Sequence, residues 1–89
     1  MTSWYLYILE LNDGSLYTGI TVDLARRISQ HNEGKASKCT RVRRPVKLVY
    51  SQEFPDRSKA SKEECRIKKL TRIQKLALIS EHQLIKIQA

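Results

Sequence analysis

The sequence predicts one small α/β domain: a three-stranded antiparallel sheet flanked by helices, in the order β-β-α-β-α-α. Three observations carry this. Two runs rich in aromatic and branched residues, Trp4 to Leu11 and Ser15 to Ile20, are joined by Asn12-Asp13-Gly14. A third alternating run, with Val46, Leu48 and Tyr50, follows a stretch of helical period. From Ser58 onward the pattern is helical. The length of 89 residues sets the scale, because a shorter piece could not bury enough apolar surface to fold alone. Residues 1–89 are therefore read as one domain, with a core over about 4–79 and a helical tail over 80–89.

Each element has its own justification. Trp4 to Leu11 has strand composition. Asn12-Asp13-Gly14 is a hairpin signal, since these residues tolerate the positive φ of a tight turn. Ser15 to Ile20 returns as the second strand. Thr21 or Asp23 can cap a helix reaching about Glu33, with Gly34 as its left-handed stop. Leu24 and Ile28 form that helix's core stripe, and Arg27 and His31 stack four apart beside it. Gly34 to Pro45 lacks an apolar period and reads as a basic loop. Pro55-Asp56 ends the third strand, and Ser58 to Leu70 forms a helix. Thr71-Arg72-Ile73-Gln74 has capping-box form and starts a last helix. Its expected apolar face is Ile73, Leu76, Ala77, Leu84 and Ile87.

Charge narrows the function classes. Seventeen Lys and Arg against nine Asp and Glu leave a net charge of +8. That balance favours a polyanionic partner, nucleic acid ahead of a membrane surface or an acidic protein. Cys39 and Cys65 belong to no metal-ligand pattern, so structural zinc is not expected. The first apolar run stops at Glu10, too short for a signal sequence or a membrane span. A cytoplasmic protein with two free thiols and no membrane partner is the expectation.

Four features carry candidate chemistry, and each has an ordinary alternative. Tyr5-Leu6-Tyr7 and Tyr17-Thr18-Gly19 place tyrosines at alternating strand positions, which usually means half-buried packing. Arg27 and His31 could be a solvated helix flank. Glu63-Glu64 could serve only helix charge pairing, for example Glu64 with Lys68. Lys35, Lys38, Arg41, Arg43 and Arg44 in the basic loop could serve solubility alone.

Taken together, in order and at these spacings, they resemble the signature of the GIY-YIG nuclease superfamily. Tyr5-Leu6-Tyr7, then Tyr17-Thr18-Gly19, then Arg27 match its two motif strands and helix arginine. Glu64-Cys65-Arg66-Ile67-Lys68, followed by Leu70-Thr71-Arg72, looks like its Glu-x-x-Ile-Lys metal helix. The likeness spans about residues 4–79 and is nearest to the stand-alone bacterial single-domain form, a relative of repair and intron-encoded endonucleases.

The resemblance implies a metal-dependent endonuclease acting on DNA. Glu64 would hold one Mg²⁺ or Mn²⁺, and the family register chooses it over Glu63. Arg27 is a planar charged fork suited to phosphate oxygens. Tyr17 corresponds to the proposed general base, Tyr7 to an orienting hydroxyl or the alternative base, and His31 to a proton relay. A phenol has a pKa near 10 and needs positive charge nearby to act near neutrality. The basic loop would contact flanking phosphates through Lys35, Lys38, Arg41, Arg43 and Arg44.

Three departures from the family pattern are visible. The first motif lacks Gly-Ile, and Tyr7 lies one residue closer to Tyr17 than is commonest, so the choice between Tyr5 and Tyr7 rests on strand parity. Leu76 to Ile79 stand where many members carry a supporting Asn, leaving Gln74 as the candidate amide. Ile20-Thr21 stand where some members carry Lys. With no second module expected, specificity should be low, or set by DNA shape, single-strandedness or a protein partner. A non-catalytic nucleic-acid adaptor is the alternative from another class. RNA stays open as substrate, although nothing here is built to read a 2′-hydroxyl. Oligomeric state is left open.

Overall fold

The first strand, β1 (Trp4–Glu10), is central in the sheet, and this organises the molecule. In the computed structural model, which describes residues 2–88 with side chains to residue 83, the strand order is β2-β1-β3, all antiparallel. β2 is Leu16–Thr21 and β3 is Lys47–Phe54. Leu6, Tyr7, Ile8 and Leu9 are all buried, as expected where both faces of a strand are covered. Fully burying a side chain of this size contributes roughly 1.5–3 kcal/mol, so this tetrapeptide anchors two cores at once.

The even-numbered face carries Leu6 and Ile8, which pack with Tyr50, with Ile67 of helix α3 (Arg57–Lys68) and with Ile79 of α4 (Arg72–Gln88). The odd-numbered face carries Tyr7, Leu9 and Leu11 against Leu24 and Ile28 of α1 (Leu24–Asn32). The local signals hold. Gly14 adopts φ +84 in the hairpin turn, where the Asp13 carboxylate accepts from the Ser15 amide at 3.0 Å. Asp23 caps α1 by accepting from the Arg26 amide at 3.1 Å, Asp56 caps α3 likewise through Lys59, and Gly34 follows α1 with φ +80. Thr71 and Gln74 bond each other's amides reciprocally, at 2.9 and 3.2 Å, as a capping box does.

Three expectations are corrected. The basic loop contains a one-turn helix, α2 (Lys38–Arg41), capped by Ser37. Leu48 and Tyr50 do not share a face: the register shifts between Ile8 and Leu9, so Val49 is an extra residue and the two side chains join opposite cores. The face expected to pack in α4 is turned outward. Ile73 is 81% exposed, Leu76 and Ala77 are also exposed, and Leu78 and Ile79 pack instead. The side chains of Leu84 and Ile87 lie outside the described residues. Among the described residues no helix is long and apolar enough to cross a membrane.

Candidate active site on the tyrosine face

The pairing register places Tyr7 opposite Gly19 on β2, and Leu9 opposite Tyr17. Tyr7 and Tyr17 therefore project from the same face, the one covered by α1. The Tyr7 ring lies across β2 so closely that a Cβ on Gly19 would stand 2.5 Å from its hydroxyl oxygen. Here glycine is needed for close approach, which is the physical content of the Tyr-x-Gly motif.

Strand parity does not decide between Tyr5 and Tyr7, because residues two apart share a face. Burial and bonding decide. The Tyr5 hydroxyl is exposed and reaches only Glu53, at 3.4 Å. Tyr7 is 1% exposed, and its hydroxyl lies 3.0 Å from Nε2 of His31. His31 is no solvated flank: it is fully buried, with Nδ1 2.8 Å from the Thr40 hydroxyl of α2. The half-buried Tyr17 meets the His31 ring edge-on, with centroids 5.1 Å apart. The Tyr7 and Tyr17 rings are 6.5 Å apart, so the three rings form one cluster.

Arg27 comes from the same helix. One of its terminal nitrogens donates to Gln30 at 3.2 Å, while its Nε is buried without a partner. Burial pushes the Tyr7 phenol above its usual pKa, and the adjacent Arg27 guanidinium works against that rise. His31 is pulled below its usual pKa, first by burial and then by the Arg27 charge. Both partners of the Tyr7–His31 bond are thus neutral at pH 7.

Helix α3 packs on the opposite face of the sheet from α1, so the helices that carry Arg27 and Glu64 do not cover the same face. The Glu64 charge adds to the rise of the Tyr7 pKa, as the smallest of its causes. Glu63 acts on Tyr50 instead and is held in a two-point bond by Arg66, which lowers its pKa. Glu64 pairs with Lys68 at 3.3 Å, the i,i+4 pair that its spacing allows. Gln74 is spent in the capping box of an exposed turn and supplies no supporting amide to the tyrosine cluster.

The basic loop divides into fasteners and unengaged cations. Arg43 bonds Asp13 at 2.8 Å and the Cys39 carbonyl at 3.0 Å, tying the loop to the hairpin turn. Arg44 donates to the carbonyls of Arg41 and Asn32. The Asn32 side chain in turn accepts from the Val46 amide at 2.8 Å and locks the end of α1 to the start of β3. Lys35 pairs with Glu33 at 3.6 Å, both largely exposed. Lys38 and Arg41 make no ion pair among the described residues, and with Lys35 they line a depression of about 240 Å³. Thr40 was missed by sequence reasoning, which offered no reason to single out one threonine in a basic loop.

The sequence model of the GIY-YIG catalytic domain matches residues 3–77. The chain belongs to the GIY-YIG family. GIY-YIG domains are a nuclease family. Among similar proteins, the UPF0213 protein SSP2268 of Staphylococcus saprophyticus is 49% identical over 81 residues, covering 91% of this chain and 99% of that one. The UPF0213 protein SAG0778 of Streptococcus agalactiae is 48% identical over 79 residues, covering 89% and 90%. The solution structure of the UPF0213 protein BH0048 from Bacillus halodurans superposes with a TM-score of 0.58 at 46% identity, over 88% of this chain and 83% of that one. That of EF2693 from E. faecalis gives 0.62 at 37% identity, over 93% and 90%. The three-stranded antiparallel sheet flanked by helices is the GIY-YIG fold.

Proposed function

We propose that this GIY-YIG domain is a metal-dependent endonuclease that hydrolyses DNA phosphodiester bonds with low sequence specificity. Its working residues on this reading are Tyr7, Tyr17, Arg27, His31 and Glu64. The observation that carries it is the Arg27 guanidinium, whose buried Nε lacks a partner beside a neutral phenol. Leaving a buried charged donor unpaired costs at least about 1–3 kcal/mol, which an entering phosphate oxygen would recover. Solubility or packing gives no reason to hold an arginine this way.

The geometry supports the following division of labour. Arg27 grips the scissile phosphate and stabilises negative charge on the adjacent Tyr7 oxygen. Tyr7 takes the proton of the attacking water as its own proton passes to His31 Nε2, 3.0 Å away. This exchanges the roles expected for the tyrosines, since the bond to His31 belongs to Tyr7. Tyr17 then walls the site and orients the water with its hydroxyl. Attack on phosphorus releases the 3′ oxygen and leaves a 5′ phosphate.

The residues fit a single hydrated divalent ion. Among the described residues no three His, Cys, Asp or Glu side chains converge, and on this reading Glu64 would hold the ion. Mg²⁺ and its like retain several waters and bind through one or two carboxylates plus substrate phosphate. The exposed Lys68 pairing of Glu64 is worth only about 0.2–0.5 kcal/mol and does not prevent a change of partner. When bound, Mg²⁺ or Mn²⁺ would supply Lewis-acid stabilisation of the phosphoryl and leaving oxygens. Lys35, Lys38 and Arg41 would hold flanking phosphates, and a protein partner could add selectivity.

The test is a side-by-side digestion of single-stranded, duplex and branched DNA and of RNA, with Mg²⁺, with Mn²⁺ and with EDTA. Multiple cleavage events per protein, abolished by EDTA and by Glu64→Ala but not by Glu63→Ala, are expected. Salt-sensitive binding with no turnover on any substrate would establish the adaptor alternative instead.

A further inference from the structure

We infer that Thr40 is a positioning residue that fixes the tautomer of His31, keeping hydrogen on Nδ1 and a bare lone pair on Nε2 facing the Tyr7 hydroxyl. Two independent arguments give this assignment. The first starts from Thr40, which is fully buried and has one hydroxyl hydrogen. The Ser37 carbonyl, 3.3 Å away, keeps a lone pair beside its bond from the Arg41 amide and can take that hydrogen. The Thr40 oxygen can then only accept from His31, 2.8 Å away, so the ring hydrogen is on Nδ1.

The second starts from Tyr7. Its hydroxyl is buried, and the hydrogen-bond acceptor it meets among the described residues is His31 Nε2. If Nε2 carried the hydrogen, the phenol would accept and its own hydrogen would need another acceptor. The polar group beside it is the Arg27 guanidinium, which has donors only. The buried phenol hydrogen would be orphaned, so Tyr7 must donate and Nε2 must be bare. In a neutral imidazole the tautomer is set by the bond made at the other nitrogen, and that bond is to Thr40.

The consequence is a directed chain, Tyr7 to His31 to Thr40 to the Ser37 carbonyl, running from the tyrosine face into α2. Thr40 is one residue from Arg41 and two from Lys38, so the phosphate-contacting turn and the histidine tautomer share one short helix. The catalytic half of the inference rests on the nuclease reading above; the tautomer does not.

The experiment is a long-range ¹H–¹⁵N correlation spectrum of His31 in the full chain near pH 7.5, with cleavage measured on the same samples. The parent should show a protonated Nδ1 and a bare Nε2. Thr40→Val keeps the shape but leaves the Nδ1 hydrogen without its acceptor, so Tyr7 alone then favours the parent tautomer and a measurable share of hydrogen should shift to Nε2; Thr40→Ser should restore the parent pattern. Loss of a partner that orients a working histidine typically costs about 10- to 100-fold. The Val variant should lose that much in kcat with KM little changed, and the Ser variant should recover it. Hydrogen on Nε2 in the parent overturns the inference with no variant needed. So does a Val variant whose tautomer does not move, or one whose tautomer switches while cleavage stays at the parent rate. A parent that never cleaves sinks the nuclease reading, while the spectrum still decides the tautomer.

Discussion

Gly19→Ala tests whether the tyrosine face is built as described. Gly19 has no positive φ and sits in a regular strand, where Ala would ordinarily gain roughly 0.5–1 kcal/mol over Gly. Here the added Cβ would lie 2.5 Å from the Tyr7 hydroxyl oxygen, 2.7 Å from Cζ and 3.1 Å from Cε1. Carbon atoms at rest stand about 3.5–4.0 Å apart, so the ring must retreat by most of an ångström. It cannot do so freely, being 1% exposed and bonded to His31. Overpacking of this kind costs about 1–3 kcal/mol, which outweighs the strand preference and reverses its sign. The net loss should be about 1–2 kcal/mol, and each kcal/mol lowers Tm by about 4–8 °C in a domain of this size. Thermal unfolding by circular dichroism measures it, with DNA cleavage on the same samples expected to fall further because the Tyr7–His31 bond is displaced. In a Tyr7→Phe background the cost should persist, since the Cζ contact remains. A Gly19→Ala protein that melts at or above the parent temperature would show that the Tyr7 ring is not pressed against β2.

Four further outcomes are expected. Tyr7→Phe should lose about 10²- to 10⁴-fold in cleavage rate and Tyr17→Phe less, while a larger loss at Tyr17 would return the base to that residue. Arg27→Lys should lose on the order of 10²–10³ in kcat, because an ammonium cannot reproduce a two-point grip; a near-normal rate would reduce Arg27 to general charge. Lys38→Gln and Arg41→Gln should each flatten the plot of log affinity against log salt by about 0.7–0.9, whereas Arg43→Gln should lower Tm and leave the slope nearly unchanged. His31 has a folded pKa below its unfolded value near 6.5, so the unfolded chain binds more protons there. Stability should therefore be full above about pH 6.5 and fall as pH drops below it. Urea midpoints should show a shallower decline in His31→Gln, and equal declines would mean that another group is responsible.

The parts of the fold legible in the sequence are those decided by a few neighbouring residues. Asn12-Asp13-Gly14, Asp23, Gly34 and the Thr71–Gln74 box each satisfy backbone groups within a turn, and each behaves in the structure as its local chemistry requires. The parts that escaped are decided by contacts far along the chain. The Val49 bulge depends on β3 matching β1 on two differently packed faces. The facing of α4 is set by Leu78 and Ile79 meeting the Leu6–Ile8 core, and Ile73 and Leu76 had the same helical period to offer. Periodicity identifies a stripe, but it cannot choose between two stripes when a helix has apolar residues on both.

The candidate site was legible as a set of residues and not as a set of connections. Spacing brought Tyr7, Tyr17, Arg27 and His31 to one face, yet it gave the tyrosines interchangeable roles. A bond to a buried histidine distinguishes Tyr7 from Tyr17, and the proposed roles rest on it. The basic loop shows the same gap from the other side. Five cations in ten residues look like five phosphate contacts, but a segment with no buried apolar residue of its own must be held by polar bonds. Arg43 and Arg44 provide them, through Asp13 and the carbonyls of Cys39, Arg41 and Asn32. The net charge of +8 would still act as a long-range field that draws a polyanion such as DNA in. Counterion release depends on phosphates actually neutralised, so the salt slope should count the loop's few unengaged cations and not its whole charge.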